Sequence, residues 1–197
     1  LTTVGFSPHE IEILDRLSNQ ASNVIQNVRT HDLISTHAYT DSLTALPNRR
    51  SFDWESQKTL DQAQRYNRQF TIAMLDLDGF KRINDTYGHA VGDDSLRIVA
   101  HCMKNAIRKS DFLARFGGDE FVILFPETTK ELANQVLENL LERVDKCLIP
   151  IEQEHFESLT VSYGIASFPV DASDIKTLIN LADQHLYSQK QQVKHPY

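Results

Sequence analysis

Apolar positions along this chain change their period several times, and each change marks an element. Ser7-Pro8-His9-Glu10 has the residues of a helix start, with Ser at the cap and Pro in the first turn. From there to about Tyr39 no Pro or Gly intervenes. Leu14, Ala21, Val28 and Ser35 fall seven apart, as do Leu17, Val24, His31 and Ala38. This narrow seam, apolar in its first half, predicts a helix over residues 7–39 that pairs in parallel with a second copy and transmits a signal from an upstream domain. A helix folded back on the globular part is the alternative. Thr40 to Arg50 breaks the pattern, with Asp41 and Thr44 suited to capping and Pro47 to a turn.

The period then switches between helical and strand-like. Ser51 to Arg68 reads as a helix with Phe52, Leu60 and Ala63 on one face. Phe70 to Leu77 is a buried strand, Phe80 to Tyr87 a short helix, and Asp93 to Arg108 a longer one with Leu96, Val99, Ala100 and Met103 inward. Asp111 to Phe116 and Phe121 to Phe125 are strands joined at Gly117-Gly118, a hairpin whose turn needs positive φ. Lys130 to Lys146 is an amphipathic helix with Leu132, Val136, Leu140 and Val144 four apart. Residues 147–156 hold a short edge strand, Leu159 to Ala166 a further strand, and Asp174 to about Gln191 the last helix. Strands and helices mix without strict alternation. The expected fold is α+β, a central mainly antiparallel sheet of about five strands flanked by helices, with an N-terminal helical extension. Residues 1–39 form the extension and 40–197 the globular domain.

The 197 residues carry a formal net charge of -7 and are 41% hydrophobic, enough for one packed core plus the extension. An acidic balance gives no reason to expect a nucleic-acid polymer or an anionic membrane as partner. It leaves room for a nucleotide held by local lysines and a divalent cation. No apolar run reaches membrane-spanning length and no signal peptide opens the chain. The start at Leu1 falls mid-pattern, as in a fragment of a longer protein. The expected setting is cytoplasmic, with tethering through a preceding segment left open. Cys102 and Cys147 lack metal-type spacing and sit in apolar helical patterns, so reduced, buried thiols are expected.

Candidate chemistry gathers at the hairpin. Asp119 and Glu120 are adjacent acids opening an apolar strand, and like charges so placed repel unless a cation or donor balances them. A solvated turn with two surface acids is the bland alternative. Asp76 and Asp78 flank Leu77 at the end of the first strand, on one side of it. A hard cation such as Mg²⁺ takes a few carboxylates plus phosphate oxygens. Asp76 with Asp119 and Glu120 suits that need if the first strand lies beside the hairpin. Asp78 is expected to cap the helix from Phe80. Lys81, in the first turn of that helix, can neutralise phosphate. Asn84 and Asp93 suit guanine, because a carboxylate accepts from both N1–H and the exocyclic amine, where adenine presents an acceptor.

Asp76-Leu77-Asp78-Gly79-Phe80-Lys81, Asn84-Asp85, Gly88-His89, Gly92-Asp93 and Gly117-Gly118-Asp119-Glu120-Phe121 together resemble the GGDEF domain family, the diguanylate cyclases that join two GTP into cyclic di-GMP. Asp41 to Arg50, Thr160 to Ala166 and Ala182 to Lys190 extend the resemblance, which covers about Tyr39 to Lys194. It implies a nucleotide-cyclase or polymerase-palm type of fold. It implies that Asp76, the Leu77 carbonyl and Asp119 hold Mg²⁺, with Mn²⁺ as a substitute. Asp119 would accept the proton of the 3′-hydroxyl, with Glu120 as a further acid and Lys81 stabilising charge on the phosphates. Asn84, His89 and Asp93 would contact GTP, with Phe80, Gly117 and Gly118 beside it. Lys190 would meet the terminal phosphates, and Arg115 would support the loop. Arg108 and Asp111, in an Arg-x-x-Asp pattern ahead of the glycines, would form an inhibitory site for the cyclic di-GMP product. Catalysis would need a homodimer, since each domain holds one GTP.

Three departures stand out: Ala45 where the family usually has Gly, Val193-Lys194 in place of a Gly-Arg pair whose Arg forks to phosphate, and Gly79 in place of a bulkier residue. None removes a ligand, so an active cyclase is expected. A catalytically silent module that binds GTP or cyclic di-GMP is the alternative, and Asp93 argues against a mixed guanine–adenine product.

Overall fold

The computed structural model describes residue 9 and residues 39–152 and 155–194. The predicted helix over 7–39 and its heptad seam therefore lie almost wholly outside the described residues. The elements are α1 (Arg49–Tyr66), β1 (Phe70–Asp78), α2 (Phe80–Tyr87), α3 (His89–Ala106), β2 (Phe112–Gly117), β3 (Glu120–Pro126), α4 (Lys130–Asp145), β4 (Ile149–Glu152), β5 (His155–Glu157), β6 (Thr160–Phe168) and α5 (Ile175–Lys194). No helix among the described residues is long and apolar enough to cross a membrane.

β1 organises the rest because both of its faces are apolar. It lies between β3 and β6, antiparallel to each, in a sheet of order β2-β3-β1-β6. Alternation sorts its side chains into two layers. Phe70, Ile72 and Met74 pack with Val122 and Leu124 under α1 and α5. Ala73, Leu75 and Leu77 pack with Phe121 and Ile123 under α3 and α4. Burying each of the Val, Leu, Ile, Met and Phe side chains among these contributes about 1.5–3 kcal/mol. The same alternation continues past Met74, so Asp76 emerges on the α5 side at the strand's end. α5 lies directly on β6: a Cβ at Gly164 would fall 2.1 Å from the Ala182 carbonyl oxygen and 2.2 Å from the Leu186 nitrogen. One turn beyond Leu186, α5 carries Lys190 to the end of β1.

Several local expectations are corrected. Segment 147–156 does not extend the sheet; β4 and β5 pair with each other as a separate ribbon. Such a ribbon is marginal alone, and it is anchored by buried Ile149 and by Glu157. The hairpin turn lies one residue later than expected. Gly117 pairs with Glu120, Gly118 takes φ 49°, and Asp119 is in the turn rather than the strand. α1 is capped by Asn48, which accepts from the Ser51 amide at 3.1 Å. Asp41 instead closes its own turn, accepting from the amide and hydroxyl of Thr44 at 2.9 and 2.7 Å. Within that turn Ala45 adopts φ 56°, a conformation glycine takes more readily. In α4 the inward positions are Ala133, Leu137, Leu140 and Val144, while Leu132 is exposed.

Asp78 does not cap α2. The cap position is Gly79, at φ 81° and without a side-chain bond. Asp78 turns to β6, where Ser162 donates to its two oxygens at 3.0 and 2.8 Å. α3 begins at His89 rather than Asp93, because Gly92 lies inside the helix instead of breaking it. Cys102 and Cys147 are not free thiols but a disulfide, with Cα atoms 6.9 Å apart, joining α3 to the segment just after α4. Cys102 is on α3, whereas Cys147 lies past the end of α4 rather than in a helical pattern; that the two meet is a tertiary fact.

Candidate active site

The site forms where β1 and β3 end together. Antiparallel register sets Asp76 opposite Glu120, and the Leu77 amide donates to the Asp119 carbonyl at 3.3 Å. Three acids distant in sequence or crowded at a turn thus meet at one sheet end. A cleft of about 410 Å³ opens there, lined by Asp76, Phe80, Lys81, Asp119, Ser162 and Lys190 among others. A second hollow of about 620 Å³ continues past Asp76, Glu120 and Lys190 to Asp183 and Tyr187 of α5.

The electrostatics of this corner are strained. Burial pushes the Asp76 carboxyl above its usual value, an ion pair with Lys190 works against this, and Asp119 and Asp78 add repulsion. Burial likewise raises Glu120, followed by repulsion from Asp76, Asp119 and Asp183, with Lys190 opposing. Asp183 received no role from the sequence. Its signal was there: it precedes Lys190 by seven residues, two helical turns, and so shares its face.

The hairpin is held in shape by Arg115. Its Nε and Nη2 donate to the Gly118 carbonyl at 2.9 and 2.7 Å, and Nη1 donates to both Asp41 oxygens at 3.0 and 3.1 Å. Burial opposes ionisation of Asp41, but the Thr44 hydrogen bonds and then Arg115 hold it below the usual carboxylate range. Gly117 and Gly118 are exposed at the tip, so the backbone there is approachable.

The base-reading candidates gather at the junction of α2 and α3. His89 and Asp93 are one turn apart on α3, both exposed, and Asn84 of α2 lies against Gly92. A Cβ at Gly92 would come within 1.9 Å of Asn84 Oδ1, so only glycine permits this side-chain position. Lys81 and Asn84, three apart on α2, share a face that links the cleft to this junction. Arg108 and Asp111 lie at the other end of β2 from the turn. Arg108 is exposed, whereas Asp111 is buried and closes its own loop, accepting from the Arg108 amide at 3.0 Å and the Ser110 hydroxyl at 3.3 Å. Lys194 is the last residue of α5.

Among the described residues no three His, Cys, Asp or Glu side chains form a ready-made metal cage. Two carboxylates beside a phosphate-sized cleft are instead the sparse, all-oxygen set that Mg²⁺ uses with substrate phosphates. The raised Asp76 and Glu120 are the groups a hard divalent cation there would relieve. The residues fit such a cation.

Comparison with known proteins points to one family. The family described as "Diguanylate cyclase, GGDEF domain" matches residues 38–196. Diguanylate cyclase DgcP of Pseudomonas aeruginosa is 35% identical over 189 residues, covering 92% of this chain and 28% of that protein. Diguanylate cyclase DosC of Escherichia coli K12 is 32% identical over 182 residues, covering 91% of this chain and 39% of that one. The chain thus spans well under half the length of these relatives. The solved structure of the coiled coil and GGDEF domain of DgcB from Caulobacter crescentus, in complex with c-di-GMP, superposes with a TM-score of 0.82 at 29% identity, covering 91% of this chain and 95% of that one.

Proposed function

Because this chain belongs to the GGDEF diguanylate cyclase family, we propose that it condenses two GTP molecules into cyclic di-GMP, releasing two pyrophosphates. The observation that carries the reading is the register that sets Asp76 against Glu120, with Asp119, Lys81 and Lys190 around one cleft.

In each half-reaction the 3′-oxygen of one GTP forms a bond to the α-phosphorus of the other, and the bond to pyrophosphate breaks. Asp119 takes the proton of the 3′-hydroxyl, with Glu120 beside it as a further acceptor. Lys81 offsets charge that develops on the phosphates, and Lys190 exchanges its Asp76 partner for the terminal phosphates. Asn84, His89 and Asp93 orient the nucleotide, with Asn84 and Asp93 on guanine. Phe80, Gly117 and Gly118 flank the nucleotide, and Lys194 supplies a distal cation. Asp76, the Leu77 carbonyl and Asp119 would hold Mg²⁺, or Mn²⁺ in its place, which supplies positive charge to the triphosphate and makes the 3′-hydroxyl more acidic. One domain offers one such site, so two copies face each other across a twofold axis, brought together by the segment ahead of Tyr39. Arg108 and Asp111 form the product-inhibition site, with Arg108 presenting its fork to guanine or phosphate.

The direct test is incubation of the purified chain with GTP and Mg²⁺ and detection of cyclic di-GMP. Asp119→Ala is expected to lower turnover by at least about 100-fold while GTP still binds. Wild-type protein that binds GTP at micromolar concentration without turnover would replace this reading with that of a silent receptor. Arg108→Ala is expected to leave initial turnover unchanged and to lift inhibition by added cyclic di-GMP; inhibition that persists removes the second site.

A further inference from the structure

α2 carries Lys81 and Asn84, yet little in its own sequence holds it. It has eight residues, Ile83 is its only buried one, and neither end has a side-chain cap. Helices this short do not persist without tertiary support. That support is visible at β5. Glu157 accepts from Arg82 Nη1 and Nη2 at 3.2 and 2.9 Å, one guanidinium fork on one carboxylate. The same carboxylate accepts from the Tyr87 hydroxyl at 2.9 Å. Arg82 stands in the first turn of α2 and Tyr87 is its last residue, so a single side chain ties both ends of the helix. His155 adds to the group, its Nε2 3.8 Å from Glu157 and its ring against Tyr87 with centroids 6.1 Å apart. The hydrogen bonds of Arg82 and then of Tyr87 hold the Glu157 carboxyl down at about 2. The β4–β5 ribbon, in turn, has no place in the main sheet and no catalytic residue of its own.

We infer that Glu157 is a positioning residue: through Arg82 and Tyr87 it braces α2 against the β4–β5 ribbon and so holds Lys81 and Asn84 at the nucleotide. This rests on the proposed function for its kinetic consequences but not for its structural ones. Glu157 touches no substrate. Its effect is on how often α2 presents its face in the productive orientation.

The test uses the full chain with Glu157→Gln, which keeps the side-chain shape and removes the charge that receives the fork. In turnover with GTP and Mg²⁺, kcat/KM is expected to fall roughly five- to tenfold, mostly through KM. The swap Arg82→Glu with Glu157→Arg rebuilds the ion pair but not the bond that accepts from Tyr87, since arginine has no acceptor, and is expected to restore part of the loss. Amide hydrogen exchange without nucleotide gives a readout independent of activity: residues 80–87 exchange faster in Glu157→Gln, while α4 is unchanged. Unchanged exchange over residues 80–87 overturns the inference, as does acceleration spread evenly over the domain, or a swap that recovers none of the lost kcat/KM. If the wild type makes no cyclic di-GMP, the proposed function fails and the exchange result still decides the brace.

Discussion

Gly92→Ala separates the proposed base-reading role of Asn84 from the stability of the fold. The built Cβ lies 1.9 Å from Asn84 Oδ1 and 2.9 Å from its Cγ, about 1.5 Å short of ordinary contact for the oxygen. No backbone atom is among the close neighbours, so the amide turns away and α3 stays in place. Inside a helix, Ala is favoured over Gly by up to about 1 kcal/mol. Thermal stability is therefore expected to hold or rise. A neutral hydrogen bond to guanine contributes about 1–1.5 kcal/mol, so losing one weakens GTP binding roughly five- to tenfold. The expectation is opposite signs in one variant: KM for GTP up, melting temperature level or higher. The assays are GTP titration by calorimetry, cyclic di-GMP formation against GTP concentration, and a thermal melt. An unchanged KM would remove Asn84 from the guanine contacts. A melting temperature lower by more than about 4 °C would show that α3 itself had moved and that the steric argument was wrong.

Two further substitutions test the scaffold and the charge of the site. Gly164→Ala puts a methyl against the backbone of α5, at 2.1 Å from the Ala182 carbonyl, where nothing can rotate aside. A loss of about 2–3 kcal/mol in urea unfolding is expected, and a loss below about 0.5 kcal/mol would refute the contact. Glu120→Gln removes an acid whose pKa lies above its usual value in the fold, so ionisation there opposes folding. The variant should lose turnover yet melt higher at pH 7. That gain shrinks as pH falls and vanishes below the ordinary glutamate range, about pH 4, where both proteins carry a neutral group. A gain that grows in acid would mean the carboxylate is stabilised rather than strained.

What the sequence reveals is set by the range of each interaction. The alternation through Phe70 to Leu77 is local, so the direction of Asp76 can be read before its partners are known. The meeting of Asp76 with the hairpin needs the register of β1 on β3, which alternation suggests but does not state. Asp78 misleads because an acid close ahead of a helix suggests a cap, yet it stands one residue before the cap position, which Gly79 holds. Gly79, at φ 81°, swings the chain so that Ser162 on β6 becomes the nearer donor. By composition alone Gly92 reads as a helix breaker. Its reason, room for the Asn84 side chain, exists only after α2 folds onto α3. The disulfide and the Glu157 brace are hidden for the same reason: each joins segments 45 or more residues apart with no local signature.

The crowding of acids at the sheet end also explains the shape of α5. Asp76, Asp119, Glu120 and Asp183 face one small region, and repulsion of this kind is tolerated only with a compensating cation. Among the described residues Lys190 supplies such a cation, paired to Asp76. A lysine on a mobile tail would offset the charge weakly, because ordering it costs up to about 2 kcal/mol of side-chain entropy in addition to the backbone. Here the backbone cost is already met, since α5 is seated at Gly164 on the strand that runs from Thr160 to Phe168. The compensation is also incomplete, because Asp76 and Glu120 remain above their usual pKa values despite it. A site left short of positive charge in this way is one that an entering cation stabilises, and in the proposed reaction that entry frees Lys190 for the phosphates. The close contact at Gly164 and the charge balance at Asp76 therefore act together: the first delivers the lysine, and the second leaves the acids short of positive charge, as the proposed nucleotide site requires.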